Sequence, residues 1–263
     1  MIVVNQECTK CGICVEICPI GLEMGQDGPK LNYAASCIKC GHCVAVCPQG
    51  SLDHEMVPIN KQVSLGNNQV LDSETAGRFL RSRRSIRKYK NEAVPKEEML
   101  KLLDIARFAP SGGNSQGLSY IVVTDKELLT KLSEATLKWM EEQINKGGAL
   151  SKTYKGIVQK TGQDLILRDA PALVIATAPK NFPIGRDNAR YSLAYVELYA
   201  PTLGLGSCWA GFFEMCAASG YPEIYQLLDI AEDTTVTGAV MVGYPQYKYY
   251  RLVDRNPLQV SWR

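Results

Sequence analysis

Eight of the ten cysteines lie at or before position 47, in two copies of one spacing. Each copy reads Cys-x2-Cys-x2-Cys-x3-Cys-Pro. The copies comprise Cys8, Cys11, Cys14 and Cys18, then Cys37, Cys40, Cys43 and Cys47. Three thiolates separated by two residues can surround one iron–sulfur cubane and bind three of its irons, while the fourth cysteine is carried towards a second cubane. The spacing therefore predicts two 4Fe–4S clusters with crossed ligation.

Crossed ligation divides these cysteines into two sets of four. The first cluster is predicted to bind Cys8, Cys11, Cys14 and Cys47, and the second to bind Cys37, Cys40, Cys43 and Cys18. Structural zinc and a disulfide-bonded knot are the competing interpretations. Zinc needs four ligands per site and leaves the third close cysteine and the Cys-Pro pair unexplained, while disulfides need an oxidising compartment. Residues 1–55 resemble the two-cluster ferredoxins, and we assign residues 1–56 to such a domain.

A strongly basic run follows, because residues 78–90 hold seven basic side chains among thirteen residues and no acidic one. Such a run can be a solvated helix face, a nucleic-acid contact or an anion pocket. Arginine forks match phosphate oxygens, and an arginine beside a flavin ring stabilises negative charge on its reduced form. No helix-turn-helix or RNA-binding pattern accompanies the run, so we predict no nucleic-acid partner.

Three further segments carry potential ligand contacts. Residues 109–116 form a polar loop, residues 203–211 are rich in small side chains that let a flat ligand approach the backbone, and residues 243–251 carry another basic pair. Together with the basic run, and in this order, they resemble the nitroreductase family of flavoproteins over residues 76–263. The resemblance implies an FMN-binding domain over these residues and a homodimer with FMN at its interface.

The resemblance also assigns FMN contacts in this chain. The motif positions fall on Arg83, Arg84, Ser85, Arg87, Ser111, Asn114, Gln116, Cys208, Trp209, Ala210, Lys248 and Arg251. In the family, the first arginine and the serine of the basic run hold the FMN phosphate and ribityl chain, and its last basic residue lies near the pyrimidine edge. The polar loop reaches the flavin of the other subunit. Main-chain groups of the small-residue run lie beside the reactive side of the ring, and the closing basic pair completes the phosphate site.

Periodicity and cap residues predict an α+β chain, with a small two-cluster ferredoxin-like domain followed by a nitroreductase-like mixed sheet flanked by helices. Residues 57–75 are polar and are predicted to be a linker, with a short strand at residues 69–71 as an option. Asp72 or Ser73 is predicted to cap one helix, Pro95 to open a second and Asp125 to cap a third. Strands are predicted at residues 119–124, 172–178, 207–213 and 236–243, and a further helix at residues 189–203.

Charge and hydropathy limit the possible partners. The formal charge is +2, from 29 basic and 27 acidic residues. Residues 1–56 hold three lysines and six acids, a net charge of −3, so the remainder carries +5. No apolar run approaches the roughly 18–20 residues that span a bilayer, and residues 1–10 lack the pattern of a secretory signal. We therefore predict a cytoplasmic protein without membrane contact.

These features together predict an iron–sulfur flavoprotein oxidoreductase. Electrons are expected to enter the clusters from ferredoxin or NAD(P)H, to pass to FMN, and to leave to a nitroaromatic, a quinone or an activated alkene. No catalytic side chain is assigned. Three alternatives remain open: an electron-transfer module that serves a protein partner, a nitroreductase reduced directly by NAD(P)H, and a redox sensor that binds DNA.

Overall fold

The computed structural model describes residues 1–32, 37–66, 71–147, 151–160 and 162–263. It contains two compact units, Met1–Leu71 with Gly113–Ser115, and Asp72–Gly112 with Gln116–Arg263. The short strand that the sequence allows at residues 69–71 lies mostly outside the described residues. In the described ranges, no helix combines the length and apolar character needed to cross a membrane.

The first unit repeats one backbone arrangement. Its elements are β1 Ile2–Val4, α1 Ile13–Ile17, β2 Leu22–Gly25, β3 Gly28–Leu31, α2 His42–Ala45 and β4 Leu52–His54. Strands β1 and β4 pair antiparallel, as do β2 and β3. Each short helix begins after a glycine in the left-handed region, Gly12 (φ 83°) before α1 and Gly41 (φ 74°) before α2. A glycine adopts this conformation without the steric cost of a Cβ, so both cysteine runs can bend tightly.

The second unit surrounds a four-stranded sheet. Its elements are α3 Ser73–Ser82, α4 Lys96–Ala106, β5 Ser119–Val123, α5 Lys126–Asn145, α6 Ser151–Val158, β6 Ala172–Pro179, α7 Gly185–Tyr199, β7 Gly206–Trp209, α8 Gly211–Ala218, α9 Pro222–Leu227 and β8 Thr234–Gly243. The strand order is β5-β6-β8-β7, and each neighbouring pair is antiparallel. A parallel bridge joins Ser85 to Ser207, so the sheet has mixed pairing at that edge.

Strand β6 separates two apolar cores. Leu173 and Ile175 belong to the core that includes side chains of α5 and α8, whereas Val174 and Ala176 belong to the core that includes side chains of α4 and α7. Successive side chains of a strand point to opposite faces, so a strand covered on both faces is apolar throughout. Burial of both faces of β6 therefore explains the continuous apolar pattern from which this strand was predicted.

The cap predictions are confirmed and two element predictions are wrong. The Asp72 carboxylate accepts N–H groups at the start of α3, and the Asp125 carboxylate accepts the Leu128 N–H at the start of α5. The strand predicted at residues 207–213 ends at Trp209, and α8 begins at Gly211. The helix predicted at residues 189–203 begins at Gly185, and after Tyr199 it gives way to a 3-10 turn that contains Pro201. Pro201 has no N–H to continue the helical hydrogen bonds, which accounts for the early end, although Ala200 before it keeps helical angles (φ −49°, ψ −44°).

Candidate cluster and cofactor sites

Two cavities in the first unit are each lined by four cysteines. One contains Cys8, Cys11, Cys14 and Cys47. The other contains Cys18, Cys37, Cys40 and Cys43. The structure therefore brings the last cysteine of each run to the cavity lined by the first three cysteines of the other run.

The pKa shifts of the cysteines indicate that each cavity suits a cationic group. Burial raises the pKa of Cys14, and the neighbouring Cys47 and Cys11 raise it further, against hydrogen bonds from the backbone. Burial also raises the pKa of Cys43, and among the neighbouring cysteines Cys18 raises it most. Four thiolates around one cavity repel one another unless cations lie between them, and a cluster of four irons supplies that positive charge.

The shapes of the cavities also suit a cluster. Gly21 and Cys18 both line the second cavity, and a Cβ added at Gly21 would lie only 2.8 Å from the Cys18 Sγ, so glycine lets the chain pass close to this sulfur. In the part of the chain that the structure describes, no three His, Cys, Asp or Glu side chains converge as a single-ion site. The cysteines line each cavity instead, and a cubane spreads its four ligands in this way because each one binds a different iron.

Two side chains lie within hydrogen-bonding distance of predicted cluster ligands, and neither was predicted from the sequence. The Ser51 Oγ lies 3.3 Å from the Cys47 Sγ, and the His54 Nε2 lies 3.5 Å from the Cys37 Sγ. Burial acts to raise the pKa of Cys47, but hydrogen bonds from the Ser51 side chain and from nearby backbone groups hold it below its ordinary value. The thiolate form of Cys47, which is the form that binds metals, is thereby favoured.

In the second unit the basic run lies along the sheet edge at β7. The Ile86 N–H donates to the Ser207 carbonyl (2.8 Å), and the Lys90 N–H donates to the Tyr244 carbonyl (2.8 Å). The Gln246 N–H donates back to the Lys88 carbonyl (3.0 Å). Three of the four predicted segments, the basic run, the small-residue run and the closing basic pair, therefore meet at one place.

A cavity of about 470 Å³ opens where these segments meet. Three cationic side chains, Arg84, Lys90 and Lys248, line it together with Ser207 and Glu197. The Arg84 Nε and the Ser207 Oγ are buried and have no hydrogen-bond partner among the described residues. Unpaired buried donors beside cationic groups suit an anionic ligand such as a phosphate.

Arg84 is held by carbonyl groups on two sides. Its guanidinium donates to the Arg81 carbonyl (2.7 Å) and to the Arg251 carbonyl (3.2 Å). Arg251 thus contributes its main chain to the position of Arg84, whereas the Lys248 side chain lines the cavity itself. This geometry distinguishes the two members of the closing basic pair.

Arg83 is paired with an acid that the sequence analysis missed. Its guanidinium lies 3.5 Å from the Glu197 carboxylate on α7. Burial raises the pKa of Glu197, and the Arg83 charge partly opposes that shift. A glutamate within the otherwise apolar end of α7 was the available signal, because buried acids are uncommon unless paired.

The other residues predicted to lie beside the flavin ring are in β7 or next to it. Burial raises the pKa of Cys208, while the Arg87 charge and a hydrogen bond from Ser85 lower it, so these three side chains are neighbours. The Ala210 N–H donates to the Ala239 carbonyl (2.9 Å) within the sheet. The Trp209 indole donates to the buried Glu214 carboxylate, which holds the indole in a fixed orientation.

The polar loop makes contacts apart from this cavity. The Ser111 Oγ accepts the Gln116 N–H (3.0 Å), and neither residue is among those that line the basic cavity of the same chain. Within the first unit, the Asn114 amide donates to the carbonyls of Ile38 (2.9 Å) and Lys39 (3.1 Å).

Gly206 allows the basic run to pass close to β7. A Cβ at this position would lie 2.9 Å from the Pro245 Cγ and still closer to the Ile86 side chain. Gly206→Ala should therefore cost about 1–3 kcal/mol through overpacking. The matched control is Gly77→Ala in α3, where a Cβ meets nothing within 4 Å. Calorimetry should show a lower unfolding temperature for Gly206→Ala alone, and equal transitions for the two variants would show that the close approach is not required.

Comparisons with known proteins agree with both parts of the sequence analysis. A model of the nitroreductase family matches residues 80–244, and a model of the 4Fe-4S dicluster domain matches residues 7–52. An Archaeoglobus fulgidus protein of the NADH dehydrogenase/NAD(P)H nitroreductase type is 31% identical over 183 residues, which are 68% of this chain and 92% of the relative.

Two further similarities cover most of the length of the matched protein. An iodotyrosine deiodinase of Thermotoga neapolitana is 26% identical over 168 residues, which are 63% of this chain and 86% of the relative. The crystal structure of a nitroreductase with bound FMN from Desulfitobacterium hafniense superposes with a TM-score of 0.59 at 22% identity. That superposition covers 73% of this chain and all of the other, and it establishes a common fold.

Proposed function

The chain belongs to the nitroreductase family and carries a 4Fe-4S dicluster domain at residues 7–52, and from this we propose that it is an iron–sulfur flavoprotein oxidoreductase. Electrons pass through two 4Fe–4S clusters to FMN and then to a small organic acceptor. The observation that carries the proposal is the pair of four-cysteine cavities within a chain whose larger part belongs to a flavoprotein family. Nitroaromatics, quinones and activated alkenes are the proposed acceptors.

The two cysteine sets are the proposed cluster ligands. Cys8, Cys11, Cys14 and Cys47 bind one cluster, and Cys18, Cys37, Cys40 and Cys43 bind the other. The shared cavities, the repulsion that the cysteines of one cavity would exert on one another as thiolates, and the close approach of Gly21 to the Cys18 sulfur support this assignment. Zinc remains distinguishable by metal analysis, since two 4Fe–4S clusters require iron and inorganic sulfide in equal amounts.

The basic cavity is the proposed site of the FMN phosphate. Arg84 and Lys248 neutralise the phosphate charge, and the Ser207 hydroxyl is a further donor. Ser85, Arg87 and Cys208 lie together beside β7, where a flat ligand can approach the chain. When bound, FMN supplies the exchange between one-electron and two-electron chemistry that neither amino acids nor a single cluster provides.

A second copy of the chain is proposed to complete the FMN site. Ser111 and Gln116 belong to the predicted cofactor contacts but do not line the cavity of their own chain. A homodimer would allow these residues to serve the partner's flavin. On the side of the same chain, Glu197 lines the cavity and pairs with Arg83, and Glu214 holds the indole of Trp209.

Turnover by the purified protein tests the proposed function. Under anaerobic conditions, reduced ferredoxin or NAD(P)H is supplied with one acceptor at a time: a nitroaromatic, a quinone, an activated alkene, or 3-iodotyrosine as a probe suggested by the deiodinase relatives. Sustained reduction of a small acceptor supports the enzyme. Flavin reduction without turnover of any acceptor would favour the alternative, an electron-transfer module that serves a protein partner.

A further inference from the structure

His54 has both ring nitrogens engaged beside the second cluster cavity. It is the last residue of β4, it is 4% exposed, and it pairs with Ile2 of β1. The Met56 N–H lies 3.0 Å from the His54 Nδ1, and the Cys37 Sγ lies 3.5 Å from the Nε2. The imidazole therefore connects a backbone amide to a predicted cluster ligand.

The first of these contacts determines the position of the imidazole proton. A backbone N–H can only donate, so the Nδ1 of His54 must accept from Met56. In the neutral ring the proton then resides on Nε2, which faces the Cys37 sulfur. Sulfur is larger than oxygen, so 3.5 Å is a hydrogen-bonding distance for this pair.

We propose that His54 is a positioning residue that sets the reduction potential of the cluster bound by Cys18, Cys37, Cys40 and Cys43, through an Nε2–H···Sγ hydrogen bond to Cys37. This inference rests on the proposed cluster ligation. Reduction adds negative charge to the cluster and its thiolates, so a donor at a ligand sulfur stabilises the reduced form and raises the potential.

The other cluster has a donor of its own. Ser51 is 4% exposed, and its hydroxyl lies 3.3 Å from the Cys47 Sγ. Against a thiolate ligand, the hydroxyl is the donor. Among the described residues, each proposed cluster thus has one side-chain donor at a ligand sulfur, and the two donors are different residues.

The sequence repeat makes these donors specific. The two cysteine runs are offset by 29 positions, so Ser51 corresponds to Leu22 and His54 to Gly25. Neither Leu22 nor Gly25 has a polar side chain. Both donors therefore come from the second half of the repeat, and they mark the places where the two halves differ.

Two substitutions of His54 separate its role at sulfur from its role at the backbone. In His54→Asn, the side-chain oxygen can take the place of Nδ1 and accept the Met56 N–H, but no donor reaches Cys37. In His54→Gln, the amide nitrogen can take the place of Nε2 and donate to the sulfur. Ser51→Ala is the matched control, because it removes the donor at the other cluster.

The measurement is an anaerobic redox titration of the reconstituted protein, followed by electron paramagnetic resonance, with iron and sulfide content determined on the same samples. His54→Asn should lower one midpoint potential, or split the two if they coincide in the parent protein. The shift measures how much the hydrogen bond strengthens on reduction, and a tenfold change in the reduction equilibrium corresponds to about 59 mV for one electron. His54→Gln should recover most of the shift, and Ser51→Ala should move the other midpoint.

The outcomes separate this inference from the proposed function. If the parent protein binds neither iron nor sulfide, the cluster assignment fails and this inference falls with it. If both clusters assemble and His54→Asn leaves both midpoints unchanged, the role of His54 alone is refuted. If His54→Asn and Ser51→Ala move the same midpoint, the crossed ligation is refuted and the assignment of His54 to the cluster of Cys18 fails with it, because Cys37 and Cys47 then bind one cluster.

Discussion

The double variant Cys18→Ala/Cys43→Ala should retain one complete 4Fe–4S cluster, whereas Cys18→Ala/Cys14→Ala should retain none. In the crossed arrangement, Cys18 and Cys43 line the same cavity, so their joint loss removes ligands from a single cluster. Cys14 lines the other cavity, so the second pair damages both clusters. Each cluster has four irons, and the first variant should therefore bind about half of the iron of the parent protein, with its sulfide.

Uncrossed ligation would reverse this result. Each run of four cysteines would then serve its own cluster, and Cys18→Ala/Cys14→Ala would be the variant that keeps one complete cluster. Iron and sulfide analysis after anaerobic reconstitution distinguishes the two arrangements. Cys216→Ala is the control, because this fully buried thiol lies in the second unit, among the residues of the larger core, and should leave the iron content unchanged.

FMN affinity should fall by about 10²–10⁴-fold in Arg84→Ala/Lys248→Ala. Both side chains line the basic cavity, and each hydrogen bond to a charged group contributes about 1.5–3 kcal/mol, or roughly 10–100-fold in affinity. Fluorescence titration of the apoprotein with FMN measures the dissociation constant. The cluster absorbance should be unchanged, because no cluster ligand is altered.

A matched change of charge controls for nonspecific electrostatics. Arg78→Ala removes a cation from the same basic run, but Arg78 is exposed and pairs with Glu74 one turn earlier on α3. Its FMN affinity should remain close to that of the parent protein. If Arg78→Ala weakened FMN binding as much as Arg84→Ala/Lys248→Ala, general attraction by the basic run would explain binding, and the cavity assignment would be wrong.

Features encoded over short stretches of sequence were predictable. The cysteine spacing, the helix caps at Asp72 and Asp125 and the buried strand β6 depend on neighbouring residues and on periodicity, and the structure contains each of them. The strand predicted through Phe213 illustrates the limit, because a short apolar run suits both a strand and a buried helix. Here the chain leaves the sheet after Trp209 and begins α8 at Gly211.

Features that depend on distant pairing were not predictable. His54 reaches Cys37 because β4 pairs with β1 and directs the ring towards a loop 17 residues away in sequence. Glu197 meets Arg83 across 114 residues, through the packing of α7. The glutamate in the apolar end of α7 is a local signal of a paired acid, but no local pattern identifies Arg83 as its partner or Cys37 as the partner of His54, and only the tertiary structure shows these pairings.

The most direct test of the central claim is the rate at which flavin is reduced with and without intact clusters. Cys14→Ala/Cys43→Ala removes one ligand from each cysteine set under either ligation scheme, and the variant is loaded with FMN and mixed anaerobically with reduced ferredoxin or with NAD(P)H. If electrons reach the flavin through the clusters, the flavin absorbance should bleach quickly in the parent protein with at least one donor, and bleaching should fall to background in the variant. Equal rates in both proteins would contradict this route, because electrons would then reach the flavin without passing through the clusters.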